Sequence, residues 1–114
     1  MPDPTVACGS LFETGTADPG REVVDLLLDR PGVRIERIVS TGQATPAGEW
    51  YDQPGDEWVA LLAGRATLRC DDEVPIELRA GDWLLIPAHV RHRVEATSQE
   101  PPCVWLAVHL PAES

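Results

Sequence analysis

The sequence predicts an all-β protein of the antiparallel sandwich or barrel class, and three observations lead to this prediction. About seven short runs of residues are either continuously apolar or alternate between apolar and polar side chains. Turn residues such as Gly, Pro and Asp separate these runs at intervals of roughly 8–12 residues, a spacing typical of small β-proteins. Almost no segment has the period of an amphipathic helix.

The first two runs differ in how clearly they predict a strand. Residues 21–32 hold five Val and Leu side chains close together before a Pro-Gly stop, which is compatible with either a short helix or an edge strand. Residues 33–40 alternate as a strand does, with Val33, Ile35 and, after a slip in phase, Ile38 on the apolar face.

The later runs are separated by short turns. Gly64 and Gly81 each lie between two runs, where glycine adopts a positive φ at little steric cost. Residues 1–20 mix Pro, Gly, Asp and Thr without periodicity, so we expect a loosely ordered arm there and a single domain over residues 21–114. The remaining predicted strands are 57–64, 65–70, 74–79, 83–87, 92–97 and 103–110.

The composition of the chain excludes several classes of partner. Its formal net charge is −10 and its pI is about 4.5, so its field repels phosphate backbones and anionic lipid, and we expect neither nucleic acid nor membrane as a partner. No apolar run reaches the roughly 20 residues of a membrane span, and the first residues lack the basic and apolar regions of a signal peptide. Three cysteines without C-x-x-C spacing fit free thiols in a reducing compartment, and we therefore expect a cytoplasmic protein.

Two segments resemble the motifs of the cupins, a family of small β-barrels. Glu57, followed by six residues and a glycine, matches the end of the first cupin motif, G-x5-H-x-H-x(3,4)-E-x6-G. Gly81, Pro87 and His92 match the spacing of the second motif, G-x5-P-x-G-x2-H-x3-N. The resemblance covers about residues 33–110. It implies a cupin-type double-stranded β-helix, which is a jelly-roll barrel.

The first motif departs from the family pattern, because both of its histidines are absent. If three residues precede the motif's glutamate, Glu57, the two positions hold Tyr51 and Gln53. If four residues precede it, they hold Trp50 and Asp52. We favour the first register because it places Gln53 and Glu57 on the same side of the strand and leaves a Pro-Gly pair for the turn.

The resemblance implies a functional site in the mouth of the barrel. Its candidate metal ligands are Asp52, Gln53, Glu57 and His92, a set of oxygen and imidazole donors that suits a divalent ion of Zn, Fe, Mn or Ni. Its candidate catalytic residues are Tyr51, Glu57 and His92, acting on a small organic molecule by dioxygenase, isomerase or lyase chemistry. The fold itself does not choose among these reactions.

Two further hypotheses compete with a metal enzyme. In one, Glu57 and His92 hydrogen-bond to each other in a metal-free pocket that binds or senses a small organic molecule. In the other, the protein acts by oligomerisation. A homodimer is expected in any case, because cupins often pair by strands and the apolar run 103–110 would suit such an interface.

The residues around His92 are assigned mostly structural roles. His89 stands at the glycine position of the second motif, in a bend, and is interpreted as facing solvent. His109 is interpreted as a structural histidine of the last strand. Arg91 and Arg93 flank His92 and alternate away from it, which predicts that they point away from the site.

Overall fold

The computed structural model describes residues 4–15 and 18–113, and all eight regular elements within them are β-strands, which confirms the all-β prediction. The strands are β1 (Val23–Arg30), β2 (Val33–Ser40), β3 (Asp56–Ala63), β4 (Arg65–Cys70), β5 (Ile76–Arg79), β6 (Trp83–Ile86), β7 (His92–Thr97) and β8 (Cys103–Leu110). The ambiguous run 21–32 forms the edge strand β1, and a β-bulge between Leu26 and Leu28 absorbs its irregular apolar pattern.

The strands form two antiparallel sheets, and their inner faces supply one core. The larger sheet has the order β1-β2-β8-β3-β6 and the smaller has the order β5-β4-β7. Apolar side chains of both sheets are removed from water between them, as in other β-sandwiches and jelly rolls. The buried core residues are Val59, Leu61, Ala66, Leu68, Leu78, Ile86, Cys103, Trp105 and Ala107.

Strand β2 points two of its charged side chains, Arg34 and Glu36, inward. It pairs with β8 without a break in register, so Arg34, Glu36 and Ile38 share the inner face and the predicted slip in phase was wrong. Ile35 lies on the outer face, opposite Val108 of β8. The inner face of β2 borders a cavity, and for that reason it accommodates charges that a packed core would exclude.

Strand β8 lies between β2 and β3, so both of its edges are hydrogen-bonded within its own sheet. Two copies of the chain therefore cannot pair along this strand. The expected homodimer stays a prediction. On the outer face of the larger sheet, Trp83 and Leu85 of the edge strand β6 are 61% and 51% exposed and offer apolar surface to a second copy.

The segment before β1 contacts the larger sheet. The guanidinium of Arg37 on β2 donates hydrogen bonds to the carbonyl oxygens of Ser10 and Leu11. Positions 1–3, 16, 17 and 114 lie outside the described residues, so the arm over 1–20 and the single domain over 21–114 stay predictions, as does the cytoplasmic location. None of the described residues belongs to a helix that could cross a membrane.

Candidate functional site

A cavity of about 250 Å³ opens between the two sheets, and seven of the eight strands contribute to its wall. Most of the lining surface is apolar, and the polar side chains converge from β2, β3, β7, β8 and the segments before β1 and before β3. The apolar lining residues are Val24, Ile38, Val59, Leu68, Ile86, Val94 and Trp105. The polar ones are Glu22, Arg34, Glu36, Tyr51, Gln53, Glu57, His92 and His109.

His92 and Glu57 form a histidine–carboxylate pair in this cavity. Nε2 of His92 lies 3.5 Å from Oε1 of Glu57, and both side chains are largely buried. Nδ1 of His92 lies 3.1 Å from the carbonyl oxygen of Val90. Because a carbonyl only accepts, Nδ1 carries the proton and donates it, which leaves Nε2 as the atom that gains or releases a proton.

The surroundings of His92 favour its charged form. Burial lowers the pKa of the imidazole, but the hydrogen bond to Glu57, the Val90 carbonyl and the negative charges of Glu57 and Asp52 outweigh it. The pKa of His92 therefore lies above its ordinary value of 6.5. A larger share of this imidazole is protonated near neutral pH than of a free histidine, which suits an acid–base group.

Glu57→Gln is expected to lower the pKa of His92 relative to the native protein, because burial remains while the charge of Glu57 is lost. In the native protein His92 stabilises the fold fully below the unfolded pKa of 6.5, and this contribution is lost as pH rises through the higher folded pKa. The stability difference between the native protein and Glu57→Gln should therefore be larger at about pH 5.5 than at about pH 8.5.

NMR titration of the His92 ring measures the pKa, and urea denaturation at the two pH values measures the stability difference. Glu73→Gln is the matched control, because Glu73 lies in the exposed turn between β4 and β5. An unchanged His92 pKa in Glu57→Gln would show that Glu57 does not sustain the charged imidazole.

Tyr51 and Gln53 line the same cavity as Glu57 and His92. The N–H of Tyr51 donates to the carbonyl of His92 at 2.8 Å, and the N–H of His92 donates back at 3.0 Å. This bridge extends the smaller sheet beyond β7 and places the two rings 5.6 Å apart. The carbonyl of Gln53 accepts from the N–H of His89 at 2.8 Å, so the segment is anchored at both predicted ligand positions.

Trp50 and Asp52, the residues of the other register, are not part of the cavity lining. The Trp50 ring lies against the guanidinium groups of Arg91 and Arg93, at 4.8 and 5.8 Å. One oxygen of Asp52 is 2.8 Å from Nδ1 of His89, in a hydrogen-bond contact at the surface. The structure thus brings Tyr51, Gln53, Glu57 and His92 together and leaves Asp52 outside, since neighbouring positions of an extended chain point to opposite sides.

A second histidine–carboxylate pair lines the cavity beside the first. Nε2 of His109 lies 2.7 Å from Oε1 of Glu36, and Nε of Arg34 lies 3.7 Å from Oε2 of the same carboxylate. His109 is directly opposite Glu57 in the pairing of β3 with β8. From the sequence, His109 is assigned a structural role, and Arg34 and Glu36 are not among the candidate site residues. Their alternation with Ile38 on one side of β2 was the available signal.

The polar groups of the cavity do not fit a resident transition metal. Within residues 4–15 and 18–113, no three His, Cys, Asp or Glu side chains are arranged to hold a metal ion. His92 and Glu57 supply two donors, and Gln53 and Tyr51 could add only neutral oxygens. Zinc sites in proteins use at least three protein ligands, so the predicted ligand set is incomplete.

Comparison with known proteins identifies related sequences and folds. A family model described as "Cupin domain" matches residues 38–109. A crystal structure from Ralstonia eutropha, named as that of a candidate mannose-6-phosphate isomerase, shares 47% sequence identity with this chain. The match covers 94% of this chain and 100% of that one, with a TM-score of 0.90. No curated protein matches the sequence.

Two further solved structures share the fold at low sequence identity. A cupin superfamily protein from Desulfitobacterium hafniense is 22% identical, with a TM-score of 0.76 over 95% of this chain and 94% of that one. A protein from Methanocaldococcus jannaschii, described as RmlC-like with a double-stranded β-helix fold, is 20% identical, with a TM-score of 0.67 over 85% and 86% of the two chains. The predicted jelly-roll architecture is confirmed by these similarities.

Proposed function

The chain belongs to the cupin family, and from that premise we propose that its cavity binds a small organic molecule and that His92 and Glu57 exchange a proton with it. The observation that carries the proposal is the geometry of His92. Its Nδ1 is anchored on the Val90 carbonyl, while Nε2 lies in the cavity 3.5 Å from the Glu57 carboxylate.

This geometry suits general acid–base catalysis. A positioned imidazole with a pKa near the working pH can take a proton from a substrate carbon or oxygen and return it to a neighbouring atom. The carboxylate of Glu57 stabilises the imidazolium that forms meanwhile. The phenol of Tyr51, beside the His92 ring, is a second group able to donate a hydrogen bond to the substrate.

Isomerases and lyases that remove a proton next to a carbonyl group would fit such a site. An isomerase is also the activity named for the Ralstonia eutropha protein. The proposal concerns this reaction type and leaves the substrate of that protein aside. Proton transfer also suits the low exposure of the two side chains, because His92 and Glu57 lie largely out of contact with water.

Metal-assisted chemistry is the second candidate, because metals are common in cupins and because His92, Glu57 and Gln53 share the cavity. With two strong donors the ion would be held weakly. Activity that disappears on chelation and returns with an added divalent ion would favour this candidate over proton transfer by the side chains alone.

The test is proton exchange into a panel of small carbonyl compounds, including mannose and fructose, in D₂O. The native protein is expected to deuterate at least one of them next to its carbonyl, and EDTA should not change the rate. His92→Gln should slow the exchange by about 10²–10⁴-fold. His89→Gln is the matched control, because His89 also pairs with a carboxylate but lies outside the cavity.

Two results would contradict the proposal. Equal rates for His92→Gln and the native protein would remove His92 from the chemistry. Binding of a panel compound without any exchange would favour the metal-free binding module instead.

A further inference from the structure

We propose that the cavity is incomplete in a single chain, and that a second copy of the protein lies antiparallel along the free edge of β1 and supplies the missing part of the cavity wall. This contact is independent of the proposed function, because the wall is open whichever reaction the cavity supports. It assigns the expected homodimer to β1 and not to the outer face of β6.

The smaller sheet covers only part of the larger one. Three strands face five, and the substantial contacts of β1 are with β2 alone. Val24 of β1 is opposite Ile38 of β2, and both line the cavity. Leu26 follows on the same, inner side of β1. Inner side chains of a closed barrel are removed from water, yet Val24 is 53% and Leu26 is 55% exposed. The cavity wall therefore ends at β1 in exposed apolar surface.

Strand β1 is also the edge that a further strand can extend. It has eight residues and borders the larger sheet, so among the described residues one side of its backbone has no strand partner. The other three sheet edges are shorter or covered. β5 and β6 have four residues each, and the free side of β7 is bonded to the segment before β3 through Thr45 and Tyr51. Natural proteins shorten, cover or charge their edges, so a long apolar edge left bare indicates a strand-pairing partner.

The side chains of β1 suit a partner strand that is itself apolar. The bulge leaves Leu27 out of the register with β2, and this leucine is 43% exposed. With Val24 and Leu26 it gives the edge three exposed apolar side chains. A second β1 strand would bring the same three side chains to the contact, and cross-strand pairs of apolar residues stabilise a sheet.

The charges of β1 identify a second copy of the chain as the occupant. A chain with a net charge of −10 repels itself over most of its surface, whereas β1 is locally balanced. Each aspartate of the strand is opposite an arginine of β2, Asp25 opposite Arg37 and Asp29 opposite Arg34. The remaining charge is Arg30, whose guanidinium bonds only the carbonyl oxygen of its neighbour among the described residues. The edge thus offers a cation in need of a carboxylate.

An antiparallel second copy provides that carboxylate. Asp25 and Arg30 both lie on the outer side of β1. With a two-fold axis between Leu27 and Leu28, Arg30 of each copy is opposite Asp25 of the other. The side chain of Asp25 is still 40% exposed beside Arg37, which its Oδ2 contacts at 2.8 Å, so its other oxygen can accept from a second guanidinium. The symmetry of the contact forms this pair twice.

The apolar surface on the outer face of β6 fits this role less well. Trp83 is 61% exposed, but its ring already stacks on Trp58 of the same chain, with 6.0 Å between the ring centroids. This face also lies on the side of the sheet away from the cavity. A second copy bound there would leave the cavity wall open at β1.

The first test measures the oligomeric state of the full chain by sedimentation velocity at several concentrations. We expect a native dimer, and Leu26→Lys should raise its Kd at least about tenfold, because the lysine places a charge in the apolar contact. Arg30→Glu should also weaken the dimer, since the new carboxylate would face Asp25. Leu85→Lys is the matched control, because Leu85 is 51% exposed on the edge strand β6 and should leave the Kd unchanged. Dispersed NMR spectra show that each variant is folded.

The second test identifies the surface that the second copy covers. A soluble paramagnetic chelate broadens the NMR signals of methyl groups that it can approach. In the native protein we expect the methyl groups of Val24 and Leu26 to be protected, while those of Leu85, which are similarly exposed in one chain, are broadened. In Leu26→Lys the methyl groups of Val24 should be broadened as well.

Three outcomes would overturn the inference. The first is a native protein that stays monomeric up to about 100 μM, where a specific interface of standard size would be occupied. The second is a dimer that Leu85→Lys dissociates and Leu26→Lys does not, which would place the contact on the outer face of β6. The third is a dimer in which Val24 remains accessible to the chelate, which would show that the second copy does not complete the cavity wall. None of these results bears on proton exchange by His92, so the proposed function is tested separately.

Discussion

Gly64→Ala is expected to lower the free energy of unfolding by roughly 2–5 kcal/mol. Gly64 joins β3 to β4 with φ at +85°, and a Cβ atom there would lie 2.8 Å from Cα of Cys103 and 2.9 Å from the carbonyl oxygen of Pro102. Both of these neighbours are backbone atoms. Cys103 is completely buried, and its thiol donates a hydrogen bond to the carbonyl oxygen of Arg65. The neighbours cannot move aside, so crowding adds to the strain of the left-handed backbone.

Gly81→Ala is the matched control for this substitution. Gly81 also joins two strands with a positive φ, +98°, but nothing lies within 4 Å of a Cβ atom placed there. It should lose only the backbone contribution, about 1–2 kcal/mol. Urea denaturation of both variants, followed by circular dichroism, measures the difference. Equal losses would show that contact with Cys103 and Pro102 is not the cause.

Arg93→Ala is expected to lower the free energy of unfolding by about 2–4 kcal/mol. The substitution removes a largely buried guanidinium and leaves three carbonyl oxygens without their hydrogen-bond donor. Arg93 donates to the carbonyl oxygens of Thr45, Pro46 and Glu49 at 2.9, 3.2 and 3.1 Å. It ties the segment before β3 to β7, and that segment leads directly to Tyr51 in the cavity wall. Its loss should therefore loosen the wall as well as the fold.

Arg91→Ala provides the comparison, because Arg91 contacts the same Trp50 ring but its side chain is 44% exposed and 3.6 Å from Asp71. Such a surface pair contributes about 0–1 kcal/mol. Amide hydrogen exchange gives a second readout: the paired N–H groups of Tyr51 and His92 should exchange faster in Arg93→Ala only. Similar losses of stability and of protection from exchange in both variants would show that Arg93 does not hold the segment before β3 against β7.

Much of the fold could be predicted from local patterns. Alternation and turn residues located strands β3 to β8 to within a few residues, because side-chain direction in a strand has a period of two and glycine supplies positive φ in turns. The prediction that Arg91 and Arg93 point away from the cavity rested on the same alternation. It did not include the burial of Arg93 beneath a distant segment, which no local pattern reports.

The rule that apolar side chains face inward was wrong for β2. Its inner face carries Arg34 and Glu36 because that face borders a cavity, whereas Ile35 lies on the outer face opposite Val108. A sequence does not reveal whether the space inside a barrel is filled or open, and both arrangements show the same alternation.

The sequence by itself determined the all-β class, the turns at Gly64 and Gly81, and the motif spacing that connects Glu57 with His92. Each of these depends on residues close together in the chain or on a family pattern. Only the tertiary structure decided the membership of the site. In it, His109 contacts Glu36, which is 73 residues away in sequence, and the side chain of Asp52 lies at the surface. The physical reason is that pairing between distant strands is set by the packing of whole sheets, which no local period encodes.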